Sequence, residues 1–208
     1  MNIKKISCQS TFVFVRKITL FFEFIMKNLI ISCLVAFCAA DLSRKVPAED
    51  NFEFDNFAGK WFELYYNNLN SQVACSVLNY SINDQKYTFN VDGTYVFDDK
   101  YDSSHQLHQL AFPEENPHRG LFNVTDHNNE NKFSNFTYRV FSTDYSNYAI
   151  IWMCYELNSK PIEDIAIWGR KTDFSEELYI KIEMVLSKIN ARLNGFKKID
   201  HSPEACLD

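Results

Sequence analysis

The chain has 208 residues, a formal net charge of −6 and 16% Phe, Trp and Tyr, with 46% hydrophobic residues and only five glycines and five prolines. That composition supports one globular domain with a substantial core and excludes a disordered, collagen-like or coiled-coil chain. Five basic residues and a single acid sit in the first 40 positions, leaving 16 basic and 26 acidic residues on 41–208, so nucleic acid is not an expected partner.

Residues 1–40 read as a signal peptide and 41–208 as the folded domain. Lys27 precedes the apolar run Leu29–Phe37, and Cys38-Ala39-Ala40 supplies the small residues a signal peptidase needs. Met26 makes a natural start, which makes Met1–Ile25 an extension of the gene model. The apolar run is short of the roughly 20 residues that cross a bilayer, so no membrane span remains after cleavage and the domain is expected outside the cell. Thiols on that route tend to pair. With Cys8, Cys33 and Cys38 removed, Cys75, Cys154 and Cys206 remain: one bridge and one leftover thiol, either buried or linked to another chain. Asn79, Asn123 and Asn135 begin Asn-X-Ser/Thr glycan acceptors.

From Phe57 to Arg170 the chain is a series of β-rich runs: Gly59–Tyr66, Ser76–Tyr80, Tyr87–Val91, Thr94–Phe97, His105–Phe112, Arg119–Val124, Asn135–Phe141, Tyr148–Tyr155 and Ile162–Gly169. Eight or nine short strands divided by Asn, Asp, Ser and Pro predict a sandwich or closed barrel. Tyr87–Val91 alternates apolar with polar residues, as does Phe136–Val140, which gives one wet and one dry face. No helical stretch lies between the runs to serve as a crossover, so the sheet is predicted to be antiparallel. One helix follows, with Leu178, Ile182, Val185, Leu186, Ile189 and Leu193 on a single stripe. Asp173 or Ser175 can cap its start, Glu176 and Glu177 suit its dipole, and Gly195 follows its last apolar residue.

Two segments are more specific. Phe57-Ala58-Gly59-Lys60-Trp61-Phe62-Glu63 contains the Gly-X-Trp that opens the first strand of lipocalins, and Ser142-Thr143-Asp144-Tyr145 resembles the Thr-Asp-Tyr turn those proteins carry before their seventh strand. Arg170 follows the last strand, where lipocalins place a basic residue. From about Val46 to Cys206 the chain is similar to the insect bilin-binding proteins and insecticyanins, and more loosely to apolipoprotein D. The resemblance implies an all-β fold: an eight-stranded antiparallel up-and-down barrel with one carboxyl-terminal α-helix packed outside. Trp61 would plug its narrow end beneath the Arg170 guanidinium, with Gly59 allowing close backbone approach and Thr143, Asp144 and Tyr145 shaping the turn.

Cysteines carry over residue by residue. The resemblance pairs Cys75 with Cys206. It pairs the strand-G cysteine, Cys154, with one ahead of the first strand, a position that counts back eighteen residues from Trp61 to Ser43. Cys154 is therefore expected to lack its usual partner. Either it is a free outward thiol, or Cys38 survives cleavage and stands in, or it joins two chains as a homodimer.

If Cys75 and Cys154 point outward, their neighbours face the interior. That places Ser76, Leu78 and Tyr80 inside on the second strand, and Ile151, Met153 and Tyr155 on the seventh. The parity of Trp168 adds Asp164 and Ala166, and that of Tyr87 adds Phe89, Val91 and Tyr95. The predicted ligand wall is largely apolar with a few hydroxyls, suited to a flat hydrophobic guest. Biliverdin, retinoid, carotenoid and fatty acyl chains fit that description. The resemblance implies the tetrapyrrole, bound without a covalent link, although Asp164 is an acid where a propionate-bearing ligand prefers a neutral donor.

Two other classes compete with a carrier. One is a protein-binding lipocalin, acting as an inhibitor or cell-surface ligand through loops such as Asn67–Ala74. The other is an enzyme using a pocket thiol. No Gly-X-Ser-X-Gly, Walker loop, Cys-X-X-Cys or His-Glu-X-X-His is present in the sequence. His105 and His108 fall on opposite strand faces, which argues against a shared metal, and His118, His127 and His201 lie among loop residues and read as solvated. No catalytic residue and no metal ligand is assigned. The expected activity is that of a secreted carrier of a small hydrophobic molecule, and not of an enzyme.

Overall fold

Strands with short polar connections and no crossover helix can pair only with their sequence neighbours. In the computed structural model, which describes residues 48–67, 73–85, 87–97, 104–114, 116–126, 135–157 and 160–206, they do so throughout. A short helix α1 (Phe54–Phe57) precedes β1 (Gly59–Tyr66), β2 (Val73–Ile82), β3 (Phe89–Phe97), β4 (Ser104–Pro113), β5 (Leu121–Asp126), β6 (Asn135–Thr143), β7 (Tyr148–Leu157) and β8 (Lys160–Gly169). Helix α2 (Glu176–Ser187), the two-residue β9 (Lys197–Lys198) and the one-turn α3 (Pro203–Cys206) complete the chain. Each barrel strand pairs antiparallel with the next, and β1 closes the ring by dividing its length. Its Gly59–Phe62 portion pairs with β2, and Phe62 to Tyr66 pair with β8 across a bulge between Glu63 and Tyr65. The result is a closed eight-stranded up-and-down barrel, with β9 added at the edge of β1.

Two predicted boundaries move. The runs Tyr87–Val91 and Thr94–Phe97 are one strand, β3, continuous through Asp92 and Gly93. Glycine marks a close approach here, and not a break: a β-carbon at position 93 would lie 2.8 Å from Leu78 Cδ2 and 2.9 Å from the Val77 carbonyl oxygen. Tyr87 is left outside the strand with φ at +59°. Helix α2 starts where predicted, with the Ser175 hydroxyl accepting from the Leu178 amide at 3.4 Å, but it ends at Ser187 and does not extend to Gly195. Asn190, at φ +57°, turns the chain left-handed. The Asn190 and Ala191 amides then donate back to the Ser187 and Leu186 carbonyls, both at 3.1 Å. An asparagine does the capping work usually given to glycine, so Ile189 and Leu193 lie beyond the helix.

The barrel has two apolar faces. Outside, Ile182 and Leu186 of α2 pack on Leu64, Ile150, Ile165, Ile167 and Phe174, covering β1, β7 and β8. Inside, the closed end is filled by aromatic rings carried in by the segment before β1. Phe54 stacks on Phe89 with centroids 3.8 Å apart, while Phe52 and Phe57 pack on Phe122 and Trp61 at 5.5 and 5.1 Å. Backbone bonds from Glu49 to Val140 (3.0 Å) and from Phe52 to His118 (2.8 Å) tie this segment to the base.

Trp61 is fully buried and donates its indole N–H to the Phe57 carbonyl at 2.9 Å. The Arg170 guanidinium lies 3.7 Å above its ring. That guanidinium donates to the carbonyls of Tyr145 (2.9 Å), Lys60 (2.8 Å), Ala58 (2.9 Å), Phe57 (3.2 Å) and Asn56 (3.2 Å). Gly59, at φ +102°, leaves room for it, since a β-carbon there would sit 3.2 Å from Arg170 Nη1. The turn before β7 is self-bonded: Thr143 Oγ1 donates to the Tyr148 carbonyl, and Asp144 Oδ1 accepts from the Asn147 and Tyr148 amides. Tyr145 accepts the Glu53 amide on its hydroxyl at 2.9 Å, joining this turn to α1.

Candidate ligand site in the barrel mouth

Strand alternation sets which side chains enter the barrel. Trp61 and Glu63 point inward from β1, and the bulge after Glu63 returns Tyr66 to the same side. The register aligns Ser76 with Tyr95, Leu78 with Gly93 and Tyr80 with Val91, and on the far wall Met153 with Asp164 and Ile151 with Ala166. All ten residues predicted as the ligand wall thus face the interior, but at different depths. Tyr80, Phe89 and Val91 lie in the packed base at 3%, 0% and 2% exposure, and Leu78, Ile151 and Ala166 form the next level at 4%, 0% and 0%. Toward the other end Tyr66, Tyr95, Phe136, Met153 and Tyr155 also point inward, yet each is only half-buried. Among the described residues the interior is therefore closely packed at the base, and its side chains are partly exposed toward the other end.

The mouth is more polar than the sequence reading anticipates. Asp164 is 4% exposed and accepts two phenol hydroxyls on its Oδ2, from Tyr155 at 2.6 Å and Tyr66 at 2.9 Å. Glu63, 6% exposed, enters from β1, the strand next to the β8 that carries Asp164. Burial pushes its carboxyl up to about 7, and the neighbouring Asp164 adds to the rise. The Ser76 hydroxyl and the Trp168 indole N–H draw it partly back down, although neither closes a hydrogen bond of normal geometry. Among the described residues no Lys, Arg or His forms an ion pair with either acid. Burial also raises the hydroxyls of Tyr66, Tyr80 and Tyr95 above their usual range, so they serve as neutral donors and acceptors. Glu63 is the site residue that sequence reasoning missed, and its signal was its position two residues after Trp61 on the same strand.

A second cluster lies outside the barrel. Cys75 and Cys206 form a disulfide, and His201 Nδ1 sits 3.6 Å from Cys75 Sγ. His201 Nε2 must donate to the Glu63 carbonyl at 2.8 Å, and burial lowers the imidazole below its ordinary value. His201 is therefore a packed, neutral group, contrary to its reading as solvated. The three side chains have the spacing of metal ligands, but the disulfide consumes both thiolates. Cys154 is also disulfide-bonded, to a residue outside the described range, so neither the free thiol nor the link to a second chain is what the structure contains. The remaining reading, Cys38 as partner, falls outside the described residues, as do the whole of 1–40 and its cleavage site.

Of the glycan acceptors, Asn79 is exposed on β2 and Asn123 is half-buried on β5, while the Asn135 side chain is not among those described. His108 is exposed beside Asp92 and His118 is exposed in the loop before β5; the His105 side chain and all of His127 lie outside the description. Most of the proposed docking loop Asn67–Ala74 lies there too. No helix among the described residues is long and apolar enough to cross a membrane.

Comparison with known proteins places this geometry. Residues 37–173, more than half of the chain, match the Triabin family. The chain belongs to the Triabin family. No curated protein matches this Triabin-family chain in sequence. Its barrel is similar to that of insecticyanin from the tobacco hornworm Manduca sexta, at TM-score 0.62 and 20% identity over 77% of this chain and 87% of that one. It is also similar to Per a 4, a major allergen from cockroaches, at 0.61 and 16% over 76% and 93%. Lobster apocrustacyanin A1 gives 0.56 and 18% over 76% and 92%. At such identities the likeness is one of fold, and the fold is the lipocalin barrel.

Proposed function

We propose that this Triabin-family chain is a secreted carrier that holds a small, largely apolar molecule without a covalent bond in the mouth half of its barrel and does not turn it over. The observation that supports this is the contrast along the barrel axis: inward side chains are sealed at the base and half-exposed at the mouth. Such a space gives affinity through apolar burial at about 25 cal/mol per Å², with the tyrosine hydroxyls setting orientation. Residence outside the cell accords with the oxidised state of Cys75, Cys154 and Cys206 and with an exposed acceptor at Asn79. The thiol-enzyme reading has no nucleophile among the described residues, because all three of these cysteines are in disulfides. Biliverdin is a poor electrostatic match, since its propionates would meet Glu63 and Asp164 rather than a base.

The test is titration of the purified protein with Nile red, a neutral apolar probe, together with the visible spectrum and native mass of protein from its natural source. Saturable 1:1 uptake is expected, lost when Met153→Trp fills the mouth. Absence of uptake, or uptake indifferent to that substitution, refutes the carrier reading.

A further inference from the structure

We infer that Cys75, Cys206 and His201 make a zinc site in the dithiol form of this chain, and that the disulfide is the metal-free state of the same three residues. The cluster lies outside the barrel, so the inference does not depend on the carrier reading.

The first argument is distance. Among the described residues this is the one group of three Cys, His, Asp or Glu side chains whose donor atoms all lie within 4.8 Å of one another. Zinc takes Cys sulfur at about 2.3 Å and His nitrogen at about 2.0–2.1 Å in a tetrahedron, which sets each sulfur–nitrogen edge at about 3.6 Å and the sulfur–sulfur edge at about 3.8 Å. His201 Nδ1 already stands 3.6 Å from Cys75 Sγ and 3.9 Å from Cys206 Sγ. Two of the three edges are therefore met before any metal arrives. Reduction supplies the third, because side-chain rotation about Cα atoms 5.2 Å apart lets the freed sulfurs part.

The second argument is the orientation of the imidazole. His201 Nε2 donates to the Glu63 carbonyl at 2.8 Å, and a carbonyl can only accept. The neutral ring therefore aims the bare lone pair of Nδ1 at two disulfide sulfurs that carry no proton to give it. A backbone carbonyl on the far ring nitrogen is the arrangement that ordinarily fixes a metal-ligating histidine.

The third argument is that each donor is held by bonds other than the disulfide. Cys75 is in register with Val96 in the sheet, and the Ile199 amide donates to the Leu64 carbonyl at 2.9 Å, pinning the following segment to β1. Asp200 Oδ1 accepts the Ser202 amide at 2.9 Å, and the Ser202 carbonyl accepts the Ala205 and Cys206 amides, both at 3.1 Å, so His201 and Cys206 share one self-bonded turn. Both are partly exposed, which gives a water access as fourth ligand. Two thiolates and an imidazole suit zinc and lack the oxygens that calcium or magnesium require. A thiol or phosphine reductant supplies the two electrons that split the disulfide. The two thiols then lose two protons to solvent as zinc binds.

The experiment titrates the full chain, reduced with tris(2-carboxyethyl)phosphine, with zinc chloride, and with cobalt chloride as a spectroscopic substitute. Reduced wild type should take one zinc at this site, release about two protons, and give a tetrahedral cobalt spectrum with thiolate charge-transfer bands. Cys154→Ser should bind within about twofold of wild type, and Cys75→Ser should lose the site. His201→Gln keeps a donor for the Glu63 carbonyl and should bind at least about tenfold more weakly, while its disulfide form still unfolds cooperatively. Oxidised glutathione should re-form the disulfide, leave as two thiolates and expel the zinc. Should reduction unfold the chain, zinc is expected to restore the circular dichroism of the barrel, and failure to do so overturns the site. Equal uptake by the disulfide form, or wild-type affinity in Cys75→Ser or His201→Gln, or loss in Cys154→Ser, overturns it as well.

Discussion

Replacing Glu63 with glutamine should make the empty protein more stable, and only above a defined pH. Burial and the proximity of Asp164 raise the Glu63 carboxyl from 4.5 to about 7 in the folded state. The folded protein therefore holds a proton that the unfolded chain has released. The stability this group confers is fully present below pH 4.5 and is lost as pH rises through about 7. A separation of about 2.5 units at 1.36 kcal/mol each amounts to about 3 kcal/mol. Glutamine has the shape of the protonated acid and no charge to desolvate. Wild type and Glu63→Gln should then melt alike at pH 4.5, diverge between pH 5 and 7, and differ by about 3 kcal/mol in favour of the variant at pH 8. For a barrel of this size that is about 6–12 °C in Tm. The assay is urea unfolding followed by tryptophan fluorescence, with disulfides intact, at half-unit pH intervals. Taking the difference between the two proteins cancels every other titrating group. A difference independent of pH, or a variant less stable at pH 8, would refute the claim that an uncompensated carboxyl sits inside the barrel.

The base makes separate demands. Trp61→Ala should cost about 3–5 kcal/mol in denaturant melts, as a fully buried indole truncation does, and a loss near zero would exclude the plug. Arg170→Lys should cost about 2–4 kcal/mol despite keeping the charge, because an ammonium cannot reach five carbonyls and cover an indole at once; full retention of stability would count against that. Removing the Cys75–Cys206 bridge by a double serine substitution should lower stability by about 2–5 kcal/mol, since the bridge spans 131 residues; an unchanged urea midpoint would show that it contributes nothing. A non-reducing peptide map should find the Cys154 peptide joined to one from the amino-terminal side of Ala48. Alkylation of Cys154 without prior reduction would contradict its bonded state, and a Cys38–Cys154 link would show that the chain is not cut after Ala40.

Much of the barrel was legible because strands obey a period of two. Fixing Cys75 and Cys154 as outward placed Ser76, Leu78, Ile151 and Met153 inside, where the structure has them. The same rule applied to Trp61 leads directly to Glu63, but a lone acid between Phe62 and Leu64 reads as the wet side of the strand, and only burial reveals otherwise. The rings at the base could not be read at all. Phe52, Phe54 and Phe57 lie in a segment without strand period, and their destination depends on backbone bonds to His118 and Val140, far along the chain. The end of α2 at Asn190 was obscured by Ile189 and Leu193, whose apolar spacing continues past the residue that stops the helix. His201 looked solvated because its cover comes from residues far along the chain, the Glu63 carbonyl that accepts from its Nε2 and Cys75, 126 residues before it.

The stacked Phe54 and Phe89 and the buried Trp61 fill the base of the barrel with rings, two of the three carried by other segments than the strand that opens it. On the carrier reading proposed above, a guest is then confined to the half-buried end, and each methylene it leaves in water forgoes about 0.8 kcal/mol.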